Sequence, residues 1–108
     1  MENKIKTALI TGAGQGMGLT VAKTLAAHGI QVIVNDIDPE KAKEATQDII
    51  AAGGKAIAAP FDITKTDIVL ERVKQLESEV GGIDILVNNA GNAGGRAVNQ
   101  VPFKDMPV

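Results

Sequence analysis

Residues 5–18, with the sequence IKTALITGAGQGMG, determine how the chain folds. The mostly apolar run Ile5–Thr11 is typical of a buried β-strand, and four glycines at alternating positions follow it directly. A helical pattern then begins at Gly16 and continues to His28. Glycine permits a sharp turn and a close approach to the backbone, and the N–H groups at a helix start favour an anion. The stretch therefore predicts a strand, a glycine turn and a helix that together bind a phosphate group.

Apolar runs and helical patterns alternate along the rest of the chain. Such alternation is the signature of βαβ units and a parallel sheet. The predicted elements after the first helix are a strand over Gln31–Asn35, a helix opened by Asp38 and Pro39, a strand over Ala56–Ala59, a helix capped by Thr64 with Asp67 three residues later, and a strand over Ile83–Val87. The predicted fold is therefore α/β, a Rossmann-type doubly wound parallel sheet truncated to β-α-β-α-β-α-β, with strand order 3-2-1-4.

The regular pattern ends after Asn89. Residues 92–108 include Pro102 and Pro107 and have no hydrophobic period, so we expect an irregular tail after a half-domain that spans residues 1–91. The predicted fourth strand would then lie at a sheet edge, with apolar side chains on both faces and an unpaired backbone. We therefore expect self-association through this edge.

The composition excludes several classes of function. The sequence has no Cys, Tyr or Trp, and its single His and single Ser, His28 and Ser78, fall on predicted helices away from the carboxyl ends of the strands. We therefore expect no metal site, no thiol nucleophile and no tyrosine acid. The formal net charge is −2, and no apolar run is long enough to cross a bilayer, so we expect neither nucleic-acid nor membrane binding. These features favour a cytoplasmic protein.

Asp36 follows the predicted second strand, 20 residues after Gly16. In a dinucleotide-binding fold, an acidic residue at this place accepts hydrogen bonds from the hydroxyls of the adenosine ribose. Its charge would repel a 2′-phosphate, and neutral Gln15 stands in the glycine turn, so the residues favour NAD over NADP. A turn residue or an extra helix cap is the simpler alternative for Asp36. A methyl-donor-binding domain would share the glycine turn and the acid.

Three short motifs resemble the short-chain dehydrogenase/reductase family, in its classical NAD-preferring type. They are TGxxxGxG at residues 11–18, an Asp at the end of the third strand, and NNAG at residues 88–91, which argues against a methyl-donor-binding domain. The resemblance implies NAD as cofactor and the following cofactor-binding residues: Gly12, Gly14, Gln15, Gly16, Met17 and Gly18 at the pyrophosphate and ribose, Asp36 and Ile37 at the ribose and adenine, Asp62 and Ile63 at the adenine, and Asn88, Ala90 and Gly91 near the nicotinamide-side ribose.

Simpler roles remain open for two of these groups. Asp62 is also suited to a turn that precedes the Thr64 cap, and the Asn88–Asn89 amides are suited to pairing with buried backbone groups.

The resemblance covers nearly the whole chain and implies the cofactor-binding half of an oxidoreductase. Its family transfers a hydride between a secondary alcohol or ketone and the nicotinamide ring. The family's catalytic Ser, Tyr and Lys lie beyond the NNAG segment and cannot be placed in this sequence, so we assign no catalytic residue and expect the 108-residue chain itself to be inactive. The alternative is a stand-alone or engineered dinucleotide-binding fragment without catalysis.

Overall fold

The computed structural model describes residues 5–89 and 99–102. Three helices alternate with parallel strands, and a further strand follows. The elements in chain order are β1 (Thr7–Ile10), α1 (Gly16–Ala27), β2 (Gln31–Asp36), α2 (Pro39–Ala51), β3 (Ala56–Pro60), α3 (Thr66–Val80), β4 (Ile85–Asn88) and β5 (Asn99–Pro102). The strands form a single sheet in the order β3-β2-β1-β4-β5.

The first four strands have the predicted parallel arrangement. β1 lies at the centre of the sheet, where Ile10 is in register with Val34 of β2 and with Val87 of β4. β3 pairs with the other side of β2, also in parallel. The predicted order 3-2-1-4 is confirmed, and it brings the carboxyl ends of these four strands to one edge of the sheet.

Helices cover both faces of the sheet. α1 and α2 pack on one face against side chains that include Ile10 and Val34, and α3 packs on the other face against Leu9 and Ile33. This two-sided burial explains why the central residues of β1 and β2, Ala8–Ile10 and Val32–Val34, are all apolar. It also fixes the strand register, because a shift by one residue would exchange the two faces.

The start of α2 follows the sequence prediction. Pro39 occupies the first helical position, and the Asp38 carboxylate accepts hydrogen bonds from the N–H groups of Glu40 at 2.9 Å and Lys41 at 3.4 Å. A capping side chain of this kind contributes about 1 kcal/mol to stability. It fixes the direction in which the chain leaves β2.

The predicted Thr64 cap of α3 is wrong. The helix begins at Thr66, its N-cap residue is Lys65, and no side chain caps it. The Thr64 hydroxyl instead donates to Oδ1 of Asp62 at 2.7 Å. Short polar side chains commonly bond within their own turn in this way, and the local bond removes the hydroxyl from the helix end.

The predicted exposed edge of β4 needs correction, and so does the predicted irregular tail at residues 99–102, the part of it that the structure describes. Residues Asn99–Pro102 form β5, which pairs antiparallel with β4 from the Ile85–Pro102 pair to the Asn88–Asn99 pair. An apolar edge strand is a template for pairing, and this short segment of the same chain supplies the ladder. Pro102 is the last residue of β5, so it interrupts little of that ladder. The reason for expecting self-association through the β4 edge is therefore removed.

Candidate functional site

The candidate site is the turn that connects β1 to α1, at the edge where the parallel strands end. Gly12 and Gly16 have φ angles of 62° and 61°, which lie in the left-handed region that favours glycine. Among the described residues, and apart from the adjoining backbone of α1, no atom lies within 4 Å of the place a Cβ on Gly16 would take, so the backbone there is open to close approach. The N–H groups of the first helical turn have no partner within a helix, and the helix dipole is positive there. The turn therefore offers a backbone surface suited to an anionic group.

On the β2 side, the turn is held by two hydrogen bonds. The Ala13 N–H donates to the Asn35 carbonyl oxygen at 2.7 Å, and the Gly14 N–H donates to Oδ2 of Asp36 at 3.0 Å. Asp36 is only 9% exposed, and its other oxygen, Oδ1, accepts from the Asp38 N–H at 3.0 Å. One carboxylate thus connects the glycine turn with the loop that opens α2.

On the β4 side, the turn is held by Asn89. Its side-chain Nδ2 donates to the Gly12 carbonyl oxygen at 3.1 Å, and its backbone N–H donates to the Thr11 hydroxyl at 2.9 Å. The Thr11 hydroxyl also lies 3.3 Å from Oδ1 of Asn88. The motif at residues 11–18 and the Asn88–Asn89 pair are therefore parts of one hydrogen-bonded unit.

Gly18 shows why α1 approaches this unit so closely. A Cβ at this position would collide with the Gly12 carbonyl oxygen and would lie 2.6 Å from Nδ2 of Asn89. Any side chain at Gly18 would therefore push the helix away from the turn. This is the close helix–strand packing that the last glycine of such a turn permits.

At the end of β3, Asp62 forms a local turn with Thr64. Its Oδ1 accepts from the Thr64 hydroxyl at 2.7 Å and from the Thr64 N–H at 2.9 Å. These two bonds hold the pKa of the Asp62 carboxyl below its usual value, with a further contribution from the charge of Lys65. Oδ1 accepts both of these bonds. An ionised carboxylate can accept through either oxygen, so Oδ2 also has acceptor capacity. The turn role that the sequence left open for Asp62 is therefore observed.

The buried amide of Asn35 holds the end of β3 beside the end of β2. Asn35 is 1% exposed, and its Nδ2 donates to the carbonyl oxygens of Ala59 at 2.9 Å and Phe61 at 3.1 Å. The segment that carries Asp62 and Ile63 is thereby fixed to β2. Side-chain pairing of this kind compensates for the removal of a polar group from water.

Exposed apolar side chains flank the turn. Met17, in the first turn of α1, is 56% exposed, and Ile37, directly after β2, is 67% exposed. Ile63, after β3, is half-buried. An apolar side chain at the surface contributes no folding energy through burial, but it suits contact with a flat, weakly polar group such as a base.

The structure brings together most of the residues that the sequence singled out. The turn contacts Asp36 on one side and the Asn88–Asn89 pair on the other, while Asp62 and Ile63 lie at the same sheet edge, after β3. Gln15 is the extended residue before α1, and its side chain makes no capping bond. Ala90 and Gly91 lie outside the described residues.

Sequence reasoning missed the positioning role of Asn35, whereas the backbone-pairing role that it left open for the Asn88–Asn89 amides is observed at Asn89. The partner of the Asn89 amide could not be predicted, because Gly12 lies 77 positions away in the sequence. Asn35 carried a weak local signal, since it is a polar residue at the end of an otherwise apolar strand. When both neighbours along the strand are buried, the polar side chain is buried as well and needs hydrogen-bond partners within the protein.

His28 and Ser78 lie away from this edge, as predicted. His28 follows α1 and its Nδ1 lies 2.8 Å from the Thr24 carbonyl oxygen, and Ser78 is exposed near the end of α3. Across residues 5–89, no three His, Asp or Glu side chains gather in a way that could hold a metal ion. Over the same described part of the chain, no helix has the length and apolar character needed to cross a membrane.

A glycine turn between the first strand and helix, an acid at the end of the second strand, and a parallel sheet in the order 3-2-1-4 define a Rossmann-type dinucleotide-binding fold. Comparison with known proteins identifies the family. The model of the short chain dehydrogenase family matches residues 6–107. The chain belongs to this family.

Individual relatives agree with that assignment. The chain is 43% identical over 102 residues to 5-keto-D-gluconate 5-reductase of Escherichia coli, covering 94% of this chain and 38% of the relative. A crystal structure of hydroxysteroid dehydrogenase from Escherichia coli matches with a TM-score of 0.78 and 41% identity, over 94% of this chain and 41% of that one. A metagenomic short-chain oxidoreductase in complex with NADP matches with a TM-score of 0.77 and 32% identity, over 82% and 41% of the two chains. The chain thus spans about two fifths of the length of these relatives.

Proposed function

We propose that the chain is the NAD-binding portion of an oxidoreductase that transfers a hydride between a secondary alcohol or ketone and the nicotinamide ring. The observation that carries the proposal is the glycine turn joined to the Asp36 carboxylate at the carboxyl edge of the sheet. The names of two relatives, a keto-acid reductase and a hydroxysteroid dehydrogenase, support chemistry at a ketone or a secondary alcohol. The turn suits an anionic pyrophosphate, because its backbone is open at Gly16 and begins a helix.

We assign to the cofactor residues at this edge of the sheet, together with Ala90 and Gly91, which lie outside the described residues. The turn would bind the pyrophosphate, Asp36 and Ile37 the adenosine ribose and adenine, Asp62 and Ile63 the adenine, and the NNAG segment the nicotinamide-side ribose. In full, the assigned residues are Gly12, Gly14, Gln15, Gly16, Met17, Gly18, Asp36, Ile37, Asp62, Ile63, Asn88, Ala90 and Gly91.

NAD is proposed over NADP because of Asp36. Its carboxylate already accepts two N–H groups, and an ionised carboxylate has further lone pairs for the ribose hydroxyls. A 2′-phosphate placed there would meet a like charge. A related structure contains NADP, so the choice between the two cofactors depends on this chain's own residues.

Titration calorimetry with NAD and NADP tests the proposal. We expect the chain to bind NAD more tightly than NADP, and Asp36→Ala to remove most of this preference. Asp48→Ala is the matched control, since Asp48 is an exposed acid near the end of α2 and far from the turn. If NADP binds the unmutated chain as tightly as NAD, Asp36 does not select the cofactor as proposed.

A second candidate is a dinucleotide-binding module without catalysis. The observation that favours it for the 108-residue chain is the absence of Tyr from the sequence. We expect no turnover of a secondary alcohol, because general acid–base catalysis typically contributes ~10²–10⁴-fold and no group here is assigned to it. NADH absorbance during incubation with NAD and an alcohol measures this. Turnover that survives repurification would contradict it.

The cytoplasmic location, and the expectation that neither nucleic acid nor a membrane is a partner, remain predictions from composition and charge. Self-association through the β4 edge is not proposed further, because β5 pairs there.

A further inference from the structure

We propose that Gly14 determines the choice between NAD and NADP, because its missing side chain lets the Asp36 carboxylate bond directly to the turn. The inference rests on the proposed function. It assigns a role in cofactor specificity to a glycine, which has no side chain that could contact a ligand. It makes Gly14 a positioning residue that acts through Asp36.

Space, and not backbone conformation, requires glycine at this position. A Cβ on Gly14 would lie 2.6 Å from Oδ2 and 2.9 Å from Cγ of Asp36, and 2.7 Å from Cβ of Lys41. The left-handed φ angles of the turn belong to Gly12 and Gly16, and Gly14 is not among the residues with positive φ. Alanine could therefore adopt the Gly14 backbone angles but could not fit between its neighbours.

The neighbours cannot all move aside without loss. The contact atom of Lys41 is its Cβ, which is fixed to the backbone of α2, so rotation of the side chain cannot relieve the collision. Relief at Lys41 therefore needs a small shift of the turn relative to α2, which disturbs both nucleotides alike, whereas relief at Asp36 comes from rotation of its carboxylate away from the turn. That movement breaks the 3.0 Å bond from the Gly14 N–H and separates Oδ1 from the Asp38 N–H.

The position of this carboxylate controls the ligand charge that the site accepts. Held by one N–H on each loop, Asp36 keeps its negative charge at the turn and presents its remaining lone pairs to ribose hydroxyls. A carboxylate rotated outward would lose those hydroxyl contacts and would repel a 2′-phosphate less strongly, since Coulomb energy falls with distance. NAD affinity would fall while NADP affinity would fall less, or rise.

The test measures the dissociation constants of NAD and NADP for four forms of the chain: wild type, Gly14→Ala, Asp36→Ala and the double variant. We expect Gly14→Ala to reduce the NADP-to-NAD ratio of dissociation constants by roughly tenfold, the effect of losing one charge-assisted contact. In the Asp36→Ala background, adding Gly14→Ala should leave the ratio unchanged. A purely structural disturbance would weaken both nucleotides equally and leave the ratio unchanged in both backgrounds.

Gly54→Ala is the matched control. It also lacks a positive φ, and its Cβ would lie 2.8 Å from Ile49 Cγ2 and 3.0 Å from Ala26 Cβ, at the opposite edge of the sheet. It should destabilise the chain without changing the ratio. Independently of any nucleotide, Gly14→Ala should accelerate hydrogen exchange at the Asp38 N–H, because that group loses its carboxylate partner.

The outcomes separate the two proposals. If wild type prefers NAD and Gly14→Ala keeps the full preference, the role of Gly14 is refuted and the proposed function stands. An equal change in Gly54→Ala also refutes it. If wild type binds neither nucleotide, the proposed function fails, and the role of Gly14 in selecting a nucleotide fails with it.

Discussion

Replacement of Asn89 by alanine should destabilise the chain measurably, although Asn89 is only partly buried. The substitution removes a single bond, from Nδ2 to the Gly12 carbonyl oxygen at 3.1 Å, because the other bond of Asn89 comes from its backbone N–H and is retained. A hydrogen bond of this kind has a net value of about 1 kcal/mol, and a carbonyl left without its partner adds up to about 1–3 kcal/mol if water cannot reach it. Because the bond is only part-buried, we expect a loss of about 1–2 kcal/mol in the free energy of unfolding.

The loss can be measured by urea denaturation followed by circular dichroism. In a domain of this size, 1 kcal/mol corresponds to a decrease in melting temperature of roughly 4–8 °C. Gln47→Ala is the control, since it also removes an amide, from an exposed position on α2. We expect it to change stability by less than about 0.5 kcal/mol. If Asn89→Ala costs no more than this control, the amide does not hold the turn to β4 as described.

Two further predictions concern side chains away from the turn. Thr46→Val should raise the free energy of unfolding by about 1 kcal/mol, because the Thr46 hydroxyl is buried without a hydrogen-bond partner in the described structure. The control is Thr24→Val, on the exposed face of α1, which should give no gain. Urea denaturation of both variants measures the difference. Thr64→Val should raise the pKa of the Asp62 carboxyl towards its usual value, since the largest cause of its lowering is the Thr64 hydroxyl. Because the folded-state pKa of Asp62 is depressed, its contribution to stability is present above the ordinary carboxyl range and is lost as pH falls through the folded pKa. NMR titration of the carboxyl carbon measures the shift, and an unchanged pKa in the valine variant would refute the assigned cause.

The sequence predicts the first four strands and the position of the turn because each depends on local signals, and the strand order follows from the doubly wound fold that those signals indicate. Apolar runs buried on both faces, glycines after β1 and the Asp38–Pro39 helix start can all be recognised within a few residues. The ends of the strands are less well predicted. The run that begins at Ile5 enters the sheet only at Thr7, because Ile5 is 46% exposed and precedes the paired segment.

The errors involve competition or distance along the chain. Thr64 has the residue type of a helix cap, but Asp62, two residues earlier, binds its hydroxyl. Asn99–Pro102 has little strand character of its own, and it forms β5 through pairing with the free edge of β4. For Asn89 the backbone-pairing role was anticipated but its partner was not, because Gly12 lies in another motif of the sequence.

The hydrogen bond between Gly12 and Asn89 joins residues 77 positions apart, and this separation has a consequence for synthesis on the ribosome. β1 is made first but lies at the centre of the sheet, so one of its edges has no partner until β4 has been translated. At about 5–20 residues per second, that interval is roughly 4–15 s. During it, the nascent chain has an open central strand and a glycine turn supported only from the β2 side. The proposed nucleotide site therefore cannot be completed before β4 has been translated.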